Sequence, residues 1–256
     1  MAPMQTRSQA RHVHVEHVMG TVVSFDVRDA AVDPAPPVAE AVALLHDADR
    51  RFTTYRCDSE IRRVGRGHLE LAAAHPDVRE VLERCEALRR STDGAFDHRP
   101  AGGLLDPSAY VKGWAVGRAA DVLTAAGLER FCVTGGGDVV ARGGGWRIGV
   151  QHPLDRDAIC AVVPADDLAV ATSGAYERGE HVVDHRTGRT PSSVLSVTVV
   201  GPDLGTADAL STAAFAMDGA GPAWTVGLAG YEAMTILRDG RVLCTPDFPD
   251  TTEEHR

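Results

Sequence analysis

Lysine is almost missing from this sequence. Lys112 is the single example, and the remaining fixed side-chain cations are arginines. Positive charge as a whole is outnumbered, 26 Lys+Arg against 36 Asp+Glu, for a formal charge of −10 at pH 7. No basic stripe exists to neutralise a phosphate backbone, which excludes nucleic acid as a partner. A chain of this sign also repels anions at long range. A phosphate-bearing ligand would have to be met by local donors, backbone N–H groups or a metal ion. No run of roughly 18 apolar residues occurs, so no membrane span is expected. The first twenty residues carry Arg7, Arg11, His12, His14 and His17 but no apolar stretch and no cysteine. Neither a secretory signal nor a lipid anchor is therefore expected. The cysteines, Cys57, Cys85, Cys132, Cys160 and Cys244, are odd in number and form no CxxC pair. A reducing, cytoplasmic setting follows as the expectation. A GxGxxG turn between strand and helix and a Walker A loop are both missing, which argues against those nucleotide folds.

What is present is ordinary globular material, with 44 % hydrophobic residues, enough for the core of one large domain. Residues 12–246 are expected to form it, with flexible termini at 1–11 and 247–256. His12 to Val27 alternates and reads as a strand or hairpin. Val38 to Arg50, Asp77 to Thr92, Val111 to Ala126, Ala207 to Met217 and Pro222 to Leu228 read as helices. Ser59-Glu-Ile reads as a short turn. Phe131 to Thr134 and Val139 to Ala141 read as strands, with Trp146 to Val150 pairing back on them. Ile159 to Pro164, Leu168 to Thr172 and Ser196 to Gly201 are further strands. Tyr231 to Leu237 and Arg241 to Thr245 form a hairpin around Asp239-Gly240. Strands follow one another directly, so the class is α+β with substantial antiparallel pairing and packed helices.

Six segments could carry chemistry. Gly135, Gly136 and Gly137 bring backbone close to a ligand, and Asp138 could orient its polar groups; a tight turn is the plain alternative. Gly94, Ala95, Phe96 and Asp97 suit a planar ligand, or simply stop a helix. Asp106 to Gly113 places Lys112 at a loop-to-helix junction, where an anion is favoured. Thr172, Ser173 and the Gly174 N–H could hold a ligand, but the pattern is not a nucleophile elbow. In His181-Val-Val-Asp184-His185, a strand would put His181 and Val183 on one face and Asp184 on the other. His181 could act as acid or base, or be structural; zinc on His181 and His185 would need a third ligand. Asp208 and Thr212, i and i+4 on a helix, offer hard oxygens for Mg²⁺ or Ca²⁺. N-capping by Thr206 or Asp208 is the alternative.

In order, these segments resemble one family, the FAD:protein FMN transferases, also called the ApbE or thiamine-biosynthesis lipoprotein family. The matching pieces are Met19-Gly-Thr21, Tyr55-x-x-x-Ser59-Glu-Ile61, Thr92-Asp-Gly-Ala-Phe-Asp97, Lys112-Gly113-x-Ala-Val and Gly136-Gly-Asp138. Ala171-Thr-Ser-Gly174, His181-x-x-Asp184-x-x-Thr-Gly188 and Ala207-Asp-Ala-x-x-Thr212 complete them. The resemblance implies a Mg²⁺-dependent enzyme that moves the FMN half of FAD onto a Ser or Thr hydroxyl of a target protein and releases AMP. It implies FAD contacts at Met19, Tyr55, Gly94, Ala95, Phe96, Asp106 and Lys112, with Val183 lining the same pocket. It implies metal contacts at Asp208, Thr212 and the backbone near Ala109, and His181 as the group that activates the acceptor hydroxyl. The chain departs from the family pattern at Asp106-Pro-Ser-Ala-Tyr-Val, where a Gly-rich run is usual, and at His185, where proline is usual. An FAD pyrophosphatase, with water in place of the acceptor, and a non-catalytic flavin-binding module are the alternative readings.

Overall fold

The computed structural model describes residues 11–99, 103–174 and 182–249. A hairpin comes first, β1 (Arg11–Val18) and β2 (Thr21–Arg28), closed by Met19 and Gly20. Both turn residues have positive φ, 54° and 68°, the twist that lets a two-residue turn join right-handed strands. Arg11, expected in a loose terminus, belongs to β1. Its guanidinium holds both Asp26 oxygens at 2.9 Å across the pair.

Helices α1 (Ala35–Phe52), α2 (Glu60–Gly65), α3 (Pro76–Ser91) and α4 (Ser108–Ala125) follow. Ser59 begins a helix rather than a bare turn, because its hydroxyl accepts the Arg62 N–H at 3.3 Å. Helix α4 starts three residues earlier than expected. Asp106 accepts the Ser108 N–H at 3.1 Å, and Pro107 sets the entry backbone. Lys112 therefore sits a full turn inside the helix, not at its junction.

The second half supplies β3 (Phe131–Gly135), β4 (Asp138–Arg142), β5 (Trp146–His152), β6 (Asp155–Ala165), β7 (Leu168–Gly174) and β8 (Val194–Gly201). Helices α5 (Leu204–Ala216) and α6 (Gly221–Thr225) lead to β9 (Glu232–Leu237) and β10 (Val242–Cys244). Among the described residues the main sheet has eight strands in the order β1-β2-β3-β4-β7-β8-β9-β10, every pair antiparallel. The expected pairing of Trp146–Val150 onto the preceding strand does not occur. β5 pairs only with β6, as a separate ribbon.

Both faces of the sheet are covered, and the strands show it. Val140, Ala169, Ala171, Val197 and Val199 join the helix-side core with Val23, Phe25, Phe131 and Leu123. Their neighbours Val139, Val170, Leu195 and Val200 turn to the opposite face. There they meet Val150, Ala161 and Val163 of the ribbon, with Phe248 packed alongside. Period-two alternation thus feeds two cores, and β8 is buried at every position. Helix α5 is apolar and small-residued all round. It lies on β7 and β8 and against α4, while α1 packs outside α4.

Candidate active site

Helices α4 and α5 cross where both carry glycine. A Cβ on Gly113 would stand 2.7 Å from the Leu204 carbonyl oxygen and 3.0 Å from the Asp208 Cβ. A Cβ on Gly205 would meet the Tyr110 ring at 2.9 Å. Bare backbone at this crossing brings Lys112, the residue beside Gly113, level with Asp208. Asp208 is not a helix cap. Asp203 fills that position, accepting the Thr206 N–H at 2.8 Å, and Asp208 lies a turn and more inside, buried.

The Lys112 ammonium is paired with the wholly buried Asp138 carboxylate, and its Nζ lies 3.7 Å from Asp208 Oδ2. The other Asp138 oxygen accepts the Thr172 N–H at 3.1 Å. Two buried carboxylates thus share one ammonium. It sits at the end of the sheet where Gly136 and Gly137 turn with φ of 58° and 92°. A Cβ on Gly136 would come within 3.0 Å of Thr21 Oγ1 and 3.4 Å of Lys112 Cδ. Glycine keeps the backbone of this turn against the lysine stem.

Thr172 and Ser173 were read together as ligand contacts, but the strand separates them. Thr172 Oγ1 bonds Thr198 Oγ1 at 2.9 Å. Ser173 turns to α5, where its hydroxyl meets Ser211 Oγ at 2.8 Å and Thr212 Oγ1 at 3.1 Å. Gly174 is buried beside it, at the end of β7 opposite Ser196. Ser211 and Thr198 were not singled out in the sequence. A small polar residue next to a motif carries no signal of its own.

The other expected residues have definite places. Met19 occupies the positive-φ corner of the first hairpin and packs against the core. Tyr55 is 97 % exposed, an aromatic ring that none of the described residues covers. Gly94 (φ 80°) closes α3 and faces Arg186, whose Cγ a Cβ there would meet at 3.7 Å. The loop after α3 thereby lies against the turn at 184–188. Ala95 and Phe96 are buried in the core, so their side chains serve packing and only their backbone could reach a ligand. Asp106 donates its N–H to the His98 carbonyl at 2.8 Å. Ala109 lies in the first turn of α4, one turn before Lys112.

His181 lies outside the described residues. Among the described residues 182–188 no strand forms. Val182 and Val183 are irregular and half-buried, and Asp184 makes an isolated bridge to Arg189 before a turn. The turn is set by Asp184. Its Oδ1 accepts the Arg186 N–H at 2.9 Å, and both its oxygens hold the Arg186 guanidinium. That hydrogen-bonded pairing keeps the Asp184 carboxyl below its usual range despite burial.

Among the described residues no three His, Cys, Asp or Glu side chains are arranged to hold a metal. The donor set here is different. It has one carboxylate (Asp208), a hydroxyl one turn on (Thr212) and the nearby backbone, all hard oxygens. Such a set fits Mg²⁺ or Ca²⁺ rather than a thiophilic ion. The cysteines take no part. Burial pushes the Cys85 thiol far up, so it is inert. A shallow depression of about 650 Å³, lined by Ser193, Val226, Arg238 and Leu243 among others, shares no residue with the Lys112 cluster.

An antiparallel sheet covered on both faces, with a buried lysine–carboxylate cluster under two glycine-closed helices, defines the class of this α+β protein. The chain belongs to the ApbE family, whose model matches residues 19–99 and 98–235. An FAD:protein FMN transferase of Vibrio cholerae is 32 % identical over 169 residues, 56 % of this chain and 50 % of that protein. One from Treponema pallidum is 31 % identical over 213 residues, 70 % of this chain and 59 % of that protein. The match thus spans about half the length of the Vibrio relative. The solved flavin transferase ApbE from Vibrio cholerae shares the fold with a TM-score of 0.83 at 24 % identity, over 94 % of this chain and 98 % of that one. The ApbE protein of Thermotoga maritima does so at 0.80 and 22 % identity, over 93 % and 97 %.

Proposed function

We propose that this protein transfers the FMN half of FAD to a Ser or Thr hydroxyl of a target protein, with Mg²⁺ as cofactor and AMP as leaving group. The observation that carries the reading is the buried Lys112–Asp138–Asp208 cluster at the glycine turns, in a chain of this family. It answers the problem that a charge of −10 poses for pyrophosphate chemistry. Attraction is confined to one place, where an ammonium and turn backbone meet the ligand. Lys112 carries three donors. Asp138 anchors the ammonium, and the α4 stem rests on Gly136, so its position is fixed before substrate arrives. Asp208, Thr212 and the backbone near Ala109 would hold Mg²⁺, which supplies charge neutralisation on the phosphoryl oxygens. Tyr55 offers an uncovered ring for the planar flavin. In the reaction the acceptor hydroxyl oxygen bonds to the FMN phosphorus, the phosphorus–oxygen bond to AMP breaks, and AMP leaves with the electron pair. The hydroxyl proton passes to His181, whose place in the motif supports that assignment.

The test is mass spectrometry after incubation with FAD and Mg²⁺, with and without flavin-accepting proteins of the same cell. A gain of one FMN on a Ser or Thr of a partner, with AMP released, is expected. AMP and free FMN with no modified protein would make the enzyme a pyrophosphatase. Bound FAD with neither product would make it a flavin carrier.

A further inference from the structure

The hydroxyls beside Asp208 form a chain whose proton direction the structure dictates. Ser211 Oγ donates to the Asp208 backbone carbonyl at 2.9 Å, and a serine has one proton to give. The contact between Ser173 and Ser211 at 2.8 Å must then take its proton from Ser173. With that proton committed, the contact between Ser173 and Thr212 at 3.1 Å must take its proton from Thr212. The order is Thr212 to Ser173 to Ser211 to the Asp208 carbonyl. Ser173 and Ser211 are buried, while Thr212 is partly exposed. Every proton points inward, and the end that faces out is an oxygen showing only lone pairs.

We propose that Ser173 and Ser211 are positioning residues that make Thr212 an acceptor-only ligand, preset for a cation held jointly with Asp208. A lone threonine hydroxyl would divide its time between presenting a proton and presenting a lone pair. Here the buried carbonyl of Asp208 settles the choice through Ser211 and Ser173, and no reorientation is left for the moment of binding. The same helix turn supplies the carboxylate and fixes the hydroxyl beside it. This inference deepens the proposed Mg²⁺ reading and rests on it for the identity of the cation; the proton order itself does not.

Two measurements separate the parts. Neutron diffraction from the deuterated full-length protein reads the proton order without metal or flavin. A deuteron of Thr212 on the line to Ser173 is expected, and a deuteron of Ser173 aimed at Thr212 would overturn the proposal. Mn²⁺ titration followed by electron paramagnetic resonance, again without flavin, reads the consequence. Ser173→Ala and Ser211→Ala should each weaken Mn²⁺ about fivefold, the equivalent of one net hydrogen bond. The double variant should lose little more, since both sit in one chain. Thr212→Ser should bind as the parent does. Thermal melts of each variant confirm that the fold is intact. Parent-like Mn²⁺ affinity in folded Ser173→Ala and Ser211→Ala would overturn the positioning role. Parent-like affinity in Asp208→Ala would instead overturn the metal reading, with the neutron map still deciding the hydroxyl order.

Discussion

At the scale of single residues, the cluster around Lys112 has a stability signature. Removing the ammonium takes the shared cation from buried Asp138 and Asp208, so Lys112→Met should cost about 3 kcal/mol. Adding Asp138→Asn should recover part of that cost in urea denaturation; a double variant as unstable as the sum of the singles would disprove the coupling. His98 gives a pH prediction. It is buried at 1 % exposure, with Nδ1 lacking a hydrogen-bond partner among the described residues. Burial, helped by Arg99, holds the imidazole below its ordinary value. The unfolded chain then binds the extra proton first as pH falls below about 6.5, so stability is full above that pH and declines beneath it. The loss of melting temperature between pH 7 and pH 5 should be smaller in His98→Leu than in the parent. Lys112 stands out in the sequence as the single lysine, Asp138 by the glycines before it, and Asp208 by its i,i+4 spacing to Thr212. Ser173 was visible too, but with the wrong neighbour. Its pairing with Ser211 depends on which strand face meets α5, and only the assembled sheet decides that.

At the scale of elements, the α4–α5 crossing is the joint on which the site depends. Gly113→Ala gains about 1 kcal/mol of helix propensity but drives a methyl against the Leu204 carbonyl. Overpacking of about 2 kcal/mol should win. The urea midpoint should fall and Mn²⁺ affinity with it; a stabilised variant would show that the helices part without cost. Amphipathic α1 and α3 and the alternation of the first two strands were legible because periodicity acts locally, whereas the turn at Met19 and Gly20 between those strands was not marked. The stretch after His181 was not legible either. A strand would put His181 and Val183 on one face, but Asp184 bonds forward to the Arg186 N–H and guanidinium and pulls the backbone into a turn. Local side-chain bonding decided the backbone there.

At the scale of the whole molecule, the β5–β6 ribbon completes the fold without touching the chemistry. Val163 is fully buried between ribbon and sheet. Val163→Ala should cost about 2 kcal/mol and leave Mn²⁺ affinity unchanged in the folded protein. A loss of affinity beyond the fraction unfolded would tie the second core to the site. The antiparallel α+β class could be read from strands that follow one another without helices between. The second layer could not, because Trp146–Val150 has the same pattern whether it extends the main sheet or folds over it. Strand order has a temporal consequence as well. β2 takes β3 as its inner neighbour, with Val23 opposite Gly135, so more than a hundred residues must be made before the first hairpin finds its place. At about 5–20 residues per second, a nascent chain carries that hairpin, with Phe25 and Val27 uncovered, for roughly 5–20 s. The lysine cluster waits longer still, because Asp208 on α5 is made about seventy residues after Asp138.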